Sequence, residues 1–356
     1  MDLILMLKEA VQKGASDVFI ISGLPLSYKI NNQIANQGNT KLLPEDTKKL
    51  IKDIYHLAND RSMNAIMERG DDDFSFSLVG VSRFRVSTYR QRGSLAAVIR
   101  VVTFELPDPA VLGIPEAVLR FSERAKGMVL VTGSAGSGKS TTLACIIDRI
   151  NKNRNAHVIT LEDPIEYLHS HKKSVVSQRE IATDTESYVT ALRAALRQAP
   201  DVILLGEMRD HETINTAMTA AETGHLVLST LHTIGAAKTI DRVIDAFPPN
   251  QQAQIRIQLS MVLQGVVSQQ LIPTEDGKVV AAFEIMICNG AIRNMIRESK
   301  IHQIDTVISS SAQESMVSMD ASILELYKKG IISAHNAITY STSPELMTKK
   351  LNLKLS

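Results

Sequence analysis

Cysteine is scarce in this chain: Cys145 and Cys288 are two in 356 residues, each alone in an apolar segment. That excludes a disulfide framework and a paired-cysteine zinc site, so no zinc is expected, and it fits a reducing setting. Charge of one sign is lacking as well. Lys and Arg total 39 against 38 Asp and Glu, so a net charge of +1 offers no general attraction to nucleic acid. Aromatic residues make up 4%, few for the stacking platforms that single-strand binding uses. No window approaches about 18 unbroken apolar residues, so no membrane span is expected. The N-terminal stretch MDLILMLKEAVQKGAS is amphipathic but has neither a basic leader region nor a small-residue cleavage site, and is not expected to be a signal peptide. What the chain does have is length and apolar material, 44% hydrophobic, enough for two domains.

Leu3 to Gln12 reads as a helix ended by Gly14, and Asp17 to Ile30 as strand, Gly-Pro turn, strand. Pro44 to Ile54 and Arg61 to Glu68 read as helices. Phe74, Phe76 and Leu78 then alternate, as do Phe84 and Val86 and, less cleanly, Ala96, Val98 and Val102, which predicts an antiparallel meander. Residues 1–106 are thus expected to form a small α+β domain. Leu106 to Pro115, LPDPAVLGIP, holds three prolines and a glycine, so residues 107–115 read as a linker. In residues 116–356, strands at Met128 to Val131, His157 to Leu161, Val202 to Leu205 and Leu226 to Ser229 alternate with helices, the pattern of a parallel sheet wrapped by helices. Thr274-Glu-Asp-Gly277 turns a hairpin. From about residue 289 short helices are expected, ending in a polar tail at Lys349 to Ser356.

The chemistry starts at GMVLVTGSAGSGKSTT, residues 127–142: a buried-strand run, a loop of small residues, then a helix. Gly133, Gly136 and Gly138 let backbone N–H groups turn inward on a phosphate, with Ser134, Ala135 and Ser137 between them. Lys139 can reach the β and γ phosphates, and Ser140, which completes the GxxxxGKS signature of ATP binding, can offer its hydroxyl to Mg²⁺, with Thr141 next to it. The bland alternative, a glycine turn that binds nothing, fits the full pattern poorly. Such sites also need acids at the neighbouring strand ends. VILLGE ends in Glu207, suited to a general base, but Gly206 stands where an Asp would help hold Mg²⁺. ITLEDPIEY supplies Glu162, Asp163 and Glu166 from the next strand, although a solvated charged turn reads the same way. His225 and His232 bracket one strand at opposite ends, which rules out a shared two-histidine metal face. His232 lies at the same sheet edge as Glu207 and can sense the γ-phosphate, whereas a lone strand-end histidine is most often structural. Arg83, Arg85, Arg90, Arg92 and Arg100 crowd the meander, either solvated or facing phosphate.

GSAGSGKSTT, ITLEDPIEY, LRQAPDVILLGEMRD and TGHLVLSTLHT, in this order, resemble the Walker A, Asp, Walker B and His boxes of the secretion ATPase superfamily. The resemblance covers nearly the whole chain. It implies a PAS-like N-terminal domain, a RecA-like P-loop ATPase core (an α/β fold), a homohexamer, and nucleotide bound between the two domains. It also implies phosphate-contacting arginines at Arg85, Arg100, Arg193 and Arg209. Arg85 precedes Val86-Ser87, and Arg100 follows Val98-Ile99, as in the family pattern.

Within the superfamily, GASD at Gly14 to Asp17, SRFRVSTYRQRG at Ser82 to Gly93 and AIRNMIRE at Ala291 to Glu298 resemble the type IV pilus retraction ATPases, the PilT family. That implies a cytoplasmic motor that acts on an inner-membrane platform protein and, indirectly, on pilin. Assembly and type II secretion ATPases of the superfamily usually carry a cysteine-bound zinc module and a longer N-terminal region, both missing here. A RecA-like nucleic-acid translocase and a slow nucleotide-dependent scaffold are rivals that balanced charge and Glu207, respectively, disfavour. Departures from the pattern are Ser134-Ala135 for Pro-Thr, Phe19 for His and Ile234-Gly235 for Asn-Ser. Ile292, Met295 and Ile296 share one helical face, which leaves Arg293 and Arg297 on another as a paired basic stripe.

Overall fold

Phe74, Phe76, Phe84 and Val86 lie on one face of an antiparallel sheet and are buried there, because their period of two turns every second side chain the same way. The computed structural model describes residues 2–31, 33–102, 104, 106–311 and 315–351. It divides into two units, residues 1–105 with 165–168, and residues 106–164 with 169–356. The division falls next to the proline-rich stretch, which itself belongs to the second unit.

The first unit contains α1 (Leu3–Gln12), β1 (Asp17–Ile20), β2 (Pro25–Ile30), β3 (Gln33–Lys41), α2 (Pro44–Leu57), α3 (Asn64–Arg69), β4 (Asp71–Leu78), β5 (Ser82–Gln91) and β6 (Ser94–Val102). Among the described residues the strands form one six-stranded sheet in the order β3-β2-β1-β6-β5-β4. Leu7 and Ala10 of α1 and Leu50, Ile51 and Ile54 of α2 pack with the aromatic face of the sheet. In β6 the inward set is Ala97 and Ile99, with Leu95 and Val101 beside them, not the expected Ala96, Val98 and Val102. Both sets of SLAAVIRVV are apolar, so alternation alone could not choose between them. Arg100 therefore lies on the face away from that core, where it is the cross-strand partner of Arg85. β3 has no apolar pattern and is exposed nearly throughout, as suits an edge strand that must not pair further.

The second unit follows the strand and helix alternation read from the sequence. Its elements are α4 (Glu116–Leu119), β7 (Gly127–Thr132), α5 (Lys139–Asn153), β8 (His157–Glu162), β9 (Val175–Glu180), α6 (Tyr188–Ala195), β10 (Val202–Leu205), α7 (His211–Glu222), β11 (Leu226–Leu231), α8 (Ala236–Asp245), α9 (Pro249–Val262), β12 (Leu263–Pro273), β13 (Val279–Ile287), α10 (Gly290–Arg297), α11 (Ile304–Ser310), α12 (Met319–Lys328), α13 (Ala334–Tyr340) and α14 (Pro344–Lys350). The described strands run β13-β12-β7-β11-β10-β8-β9, parallel except for the β12–β13 hairpin at Thr274–Gly277. Helices cover both faces, so central strands are buried on every side chain. Met128, Leu130, Ile203, Leu205 and Val227 enter one core with α6 to α9, while Val129, Val131, Val202, Leu204 and Leu228 enter another with α5. Residues 352–356 of the expected polar tail lie outside the described residues, and Lys349–Lys350 close α14. No described helix is long and apolar enough to cross a membrane.

Candidate functional site

β7 ends at Thr132 and α5 begins at Lys139, so the loop 133–138 sits at the C-terminal edge of a parallel sheet, where open α/β folds gather their ligands. Two glycines of the loop are sterically required. A Cβ on Gly133, at φ 145, would meet the Gln269 carbonyl oxygen at 2.3 Å and Ser137 Oγ at 2.6 Å. At Gly138, φ 88, it would come within 2.7 Å of Gln269 Nε2. Gln269 of β12 thus backs the loop, and Thr142 Oγ1 donates to its Oε1 at 2.7 Å. Sequence reading missed Gln269; its only signal was a polar residue in the middle of a buried strand.

Lys139 folds over the loop and donates from Nζ to the carbonyls of Gly133 and Ser134 at 3.0 and 2.8 Å. Burial pushes its ammonium below the ordinary lysine value, and the Glu207 carboxylate opposes that shift. Ser137 Oγ is buried without a partner among the described residues. An orphaned hydroxyl, a lysine resting on replaceable carbonyls and a glycine cradle fit a phosphate chain. Ser134, Ala135 and Gly136 form the exposed rim; Ser140 is exposed at the start of α5, and Thr141 is half-buried. The Ser134-Ala135 departure is accommodated at this open rim.

Just past the end of β10, one strand beyond β11, Glu207 follows Gly206. Its side chain is largely buried, with Oε1 accepting from Arg209 Nη2 at 2.5 Å and Oε2 facing His232 Nε2 at 3.2 Å. The Arg209 hydrogen bond, opposed by burial and aided by His232, holds the Glu207 carboxyl below its usual range. Gly206 has no room for an Asp: a Cβ there would stand 2.8 Å from Tyr188 Oη and 3.2 Å from the Leu161 carbonyl oxygen. Burial, then the charges of Asp163 and Glu207, push the Tyr188 phenol up. Tyr188 was not singled out from the sequence, where it reads only as a helical core residue.

Glu162 ends β8, two residues beyond Thr160, whose Oγ1 donates to Glu162 Oε1 at 2.6 Å; Gln178 Nε2 donates to the same oxygen at 3.3 Å. Asp163 is exposed beside it. Glu166 is also exposed, and falls in the segment counted with the first unit, so the EDPIE stretch is divided between the units. No group of three or more His, Cys, Asp or Glu forms a ready metal cage among the described residues. Ser140 and the strand-end acids Glu162 and Asp163 match the oxygen donors that Mg²⁺ takes beside a nucleotide.

His225 stands at the opposite end of β11 from His232, where Nδ1 meets the Ala220 carbonyl oxygen at 2.8 Å. It closes the turn from α7. Arg193 of α6 pairs with Glu212 at 2.8 Å. Arg85 and Arg100 belong to the first unit, and Arg100 Nε donates to Asp17 Oδ1 at 3.1 Å. In α10 the expected basic stripe is corrected. Ile292 and Ile296 are buried as anticipated, but Arg293 Nη1 donates to the carbonyls of Ser260 and Met261 at 2.5 and 2.9 Å, capping the end of α9. Only Arg297 is exposed. Its Nη2 reaches Asn294 Oδ1 at 3.4 Å.

A strand-loop-helix phosphate cradle with a carboxylate just past the end of a nearby parallel strand is the arrangement of a P-loop ATPase. The family described as type II/IV secretion system protein matches residues 2–341. The type IV pilus retraction ATPase PilT of Pseudomonas aeruginosa is 44% identical over 97% of this chain and 99% of its own length. A twitching motility protein of Neisseria gonorrhoeae is 46% identical over 83% of this chain and 79% of its own. The crystal structure of the pilus retraction motor PilT with bound ADP superposes with a TM-score of 0.87 at 46% identity, covering 98% of this chain and 99% of that one. The chain belongs to the type II/IV secretion system protein family and, within it, to the PilT group of ATPases.

Proposed function

We propose that this chain is a hexameric motor that hydrolyses ATP to drive retraction of a type IV pilus. The observation that carries the reading is Glu207, held between Arg209 and His232 at the same sheet edge as the Lys139 cradle, in a chain similar end to end to a retraction ATPase. Loop N–H groups and the Gly133–Gly138 turn bind the phosphates, and Lys139 exchanges its two carbonyls for phosphate oxygens. Ser140, Glu162 and Asp163 are the residues that would hold Mg²⁺, which would supply charge neutralisation at the phosphates. Glu207 takes a proton from the attacking water, while Arg209 and His232 fix which carboxylate oxygen faces it. Arg85, Arg100 and Arg193 are proposed to meet the developing phosphate charge once subunits assemble.

Work is then passed through an inner-membrane platform protein to pilin, with the motor on the cytoplasmic face. Support for this comes from the near-complete coverage of the retraction ATPase. Deletion in the source organism tests it: excess surface pili with lost twitching is the expected result. Loss of pili would mean assembly instead, and unchanged pili and motility would sink both readings.

A further inference from the structure

Ser268 and Gln269 are consecutive on β12, and the pleat sends them to opposite faces of the sheet. Gln269 backs the phosphate loop. Ser268 pairs with Thr132 of β7 on one side and with Glu284 of β13 on the other, so three buried polar side chains line up across neighbouring strands. Buried polar groups need partners, and two of these find theirs at one place. Ser268 Oγ accepts from Gly235 N at 2.9 Å, and Glu284 Oε1 accepts from Ala236 N at 2.7 Å. These N–H groups belong to the turn that leads from His232 into α8. Ala236 N is one of the donors a helix start leaves unsatisfied, and a carboxylate there also answers the positive end of the helix.

The turn is otherwise tight. Gly235 adopts φ 96, a conformation that favours glycine. Thr239 Oγ1 donates to the Gly235 carbonyl at 2.8 Å. The second Glu284 oxygen faces Met319 N, the first residue of α12, at 3.5 Å. Burial pushes the Glu284 carboxyl up, and the Ala236 N–H pulls it back. A carboxyl group is thus placed in the core with its oxygens aimed at one turn and one helix start.

We propose that Glu284 is a positioning residue for hydrolysis: it fixes the turn that carries His232, and through His232 the Glu207 carboxylate. Because the same side chain faces the start of α12, that alignment depends on the seating of the C-terminal helices. The inference rests on the reading of Glu207 as base and His232 as its neighbour.

The test uses the purified full-length protein, with kcat and KM for ATP, affinity for a fluorescent ADP and Tm measured together. Glu284→Ala is expected to lower kcat about tenfold or more while ADP affinity stays within about twofold. Glu284→Gln keeps an acceptor oxygen for Ala236 N and should recover most of that loss. An unchanged kcat in folded Glu284→Ala, or an ADP affinity that falls in step with kcat, overturns the proposal. His232→Ala is measured alone and combined with Glu284→Ala: a residue acting through His232 adds nothing further, whereas fully multiplied losses overturn the route. If His232→Ala alone leaves kcat intact, the reading of His232 falls and takes the proposal with it. If His232→Ala is impaired and Glu284→Ala is not, only the proposal falls. Should Glu284→Ala fail to fold, Glu284→Asp, whose shorter side chain withdraws the carboxyl group from Ala236 N, takes its place with the same outcomes.

Discussion

Gly206 and Tyr188 share one space: a Cβ on Gly206 would lie 2.8 Å from the Tyr188 hydroxyl oxygen. The phenol fills the room into which an Asp of the usual Asp-Glu pair would project. Gly206→Ala should therefore destabilise the protein by about 1–3 kcal/mol through overpacking. In a Tyr188→Phe background part of that cost should vanish, since the crowding oxygen is gone. Equal costs in both backgrounds, measured by denaturant unfolding, would refute the shared space.

Glu207→Gln should keep nucleotide binding and lose on the order of 10²-fold or more in kcat, as removal of a positioned base does. Near wild-type turnover by the purified variant would end the assignment.

The pH profile gives a second handle on the same carboxylate. Arg209 holds Glu207 below its ordinary range, so its charged form, and whatever stability its partners lend, persists above the unfolded value and is lost only as pH falls through the lower, folded one. Arg209→Ala removes the largest downward influence while burial still pushes up. The acid limb of kcat against pH should accordingly move to higher pH. A limb that stays put, or moves down, contradicts the coupling.

Two glycines of one loop should behave differently. Gly133→Ala drives a methyl into the Gln269 backbone and should abolish ADP binding, because backbone cannot step aside. Gly136 sits at φ 75 with nothing within 4 Å of its would-be Cβ, so Gly136→Ala should cost only the left-handed penalty, about 1–2 kcal/mol. Titration with a fluorescent nucleotide separates them, and equal losses would show that the steric account is wrong.

Arg293 and Arg297 should also part company. Arg293→Ala strips two α9 carbonyls of their donor and should lower stability by about 1–3 kcal/mol. Arg297→Ala should leave Tm and ATPase activity unchanged and impair twitching in cells. Normal twitching at wild-type expression would make Arg297 an ordinary solvated charge.

The parallel core was legible because its strands are buried on both faces and read as unbroken apolar runs, and because the loop at Gly133–Gly138 needs residues of a kind and spacing that little else requires. Glu207 and His232 followed from lying at one sheet edge. Pattern failed where it carried no contrast. β3 is polar on both faces, β6 apolar on both, and β9 is a short edge strand. Gln269, Tyr188 and Glu284 act across strands or helices far away in sequence, and a periodicity within one element cannot report what lies opposite it. Arg293 looked exposed for the same reason: the carbonyls it caps belong to another helix.

The side chains of β7 are divided between two separate cores, Met128 and Leu130 on one side and Val129 and Val131 on the other. Sliding or tilting that strand would open voids in both at once, and close-packed interiors resist that. The floor beneath the phosphate loop is therefore a fixed datum. Within this unit, the parts of the site that do not belong to that floor are the ones that hang from the sheet edge, the Lys139 side chain and the turns after Leu205 and Leu231.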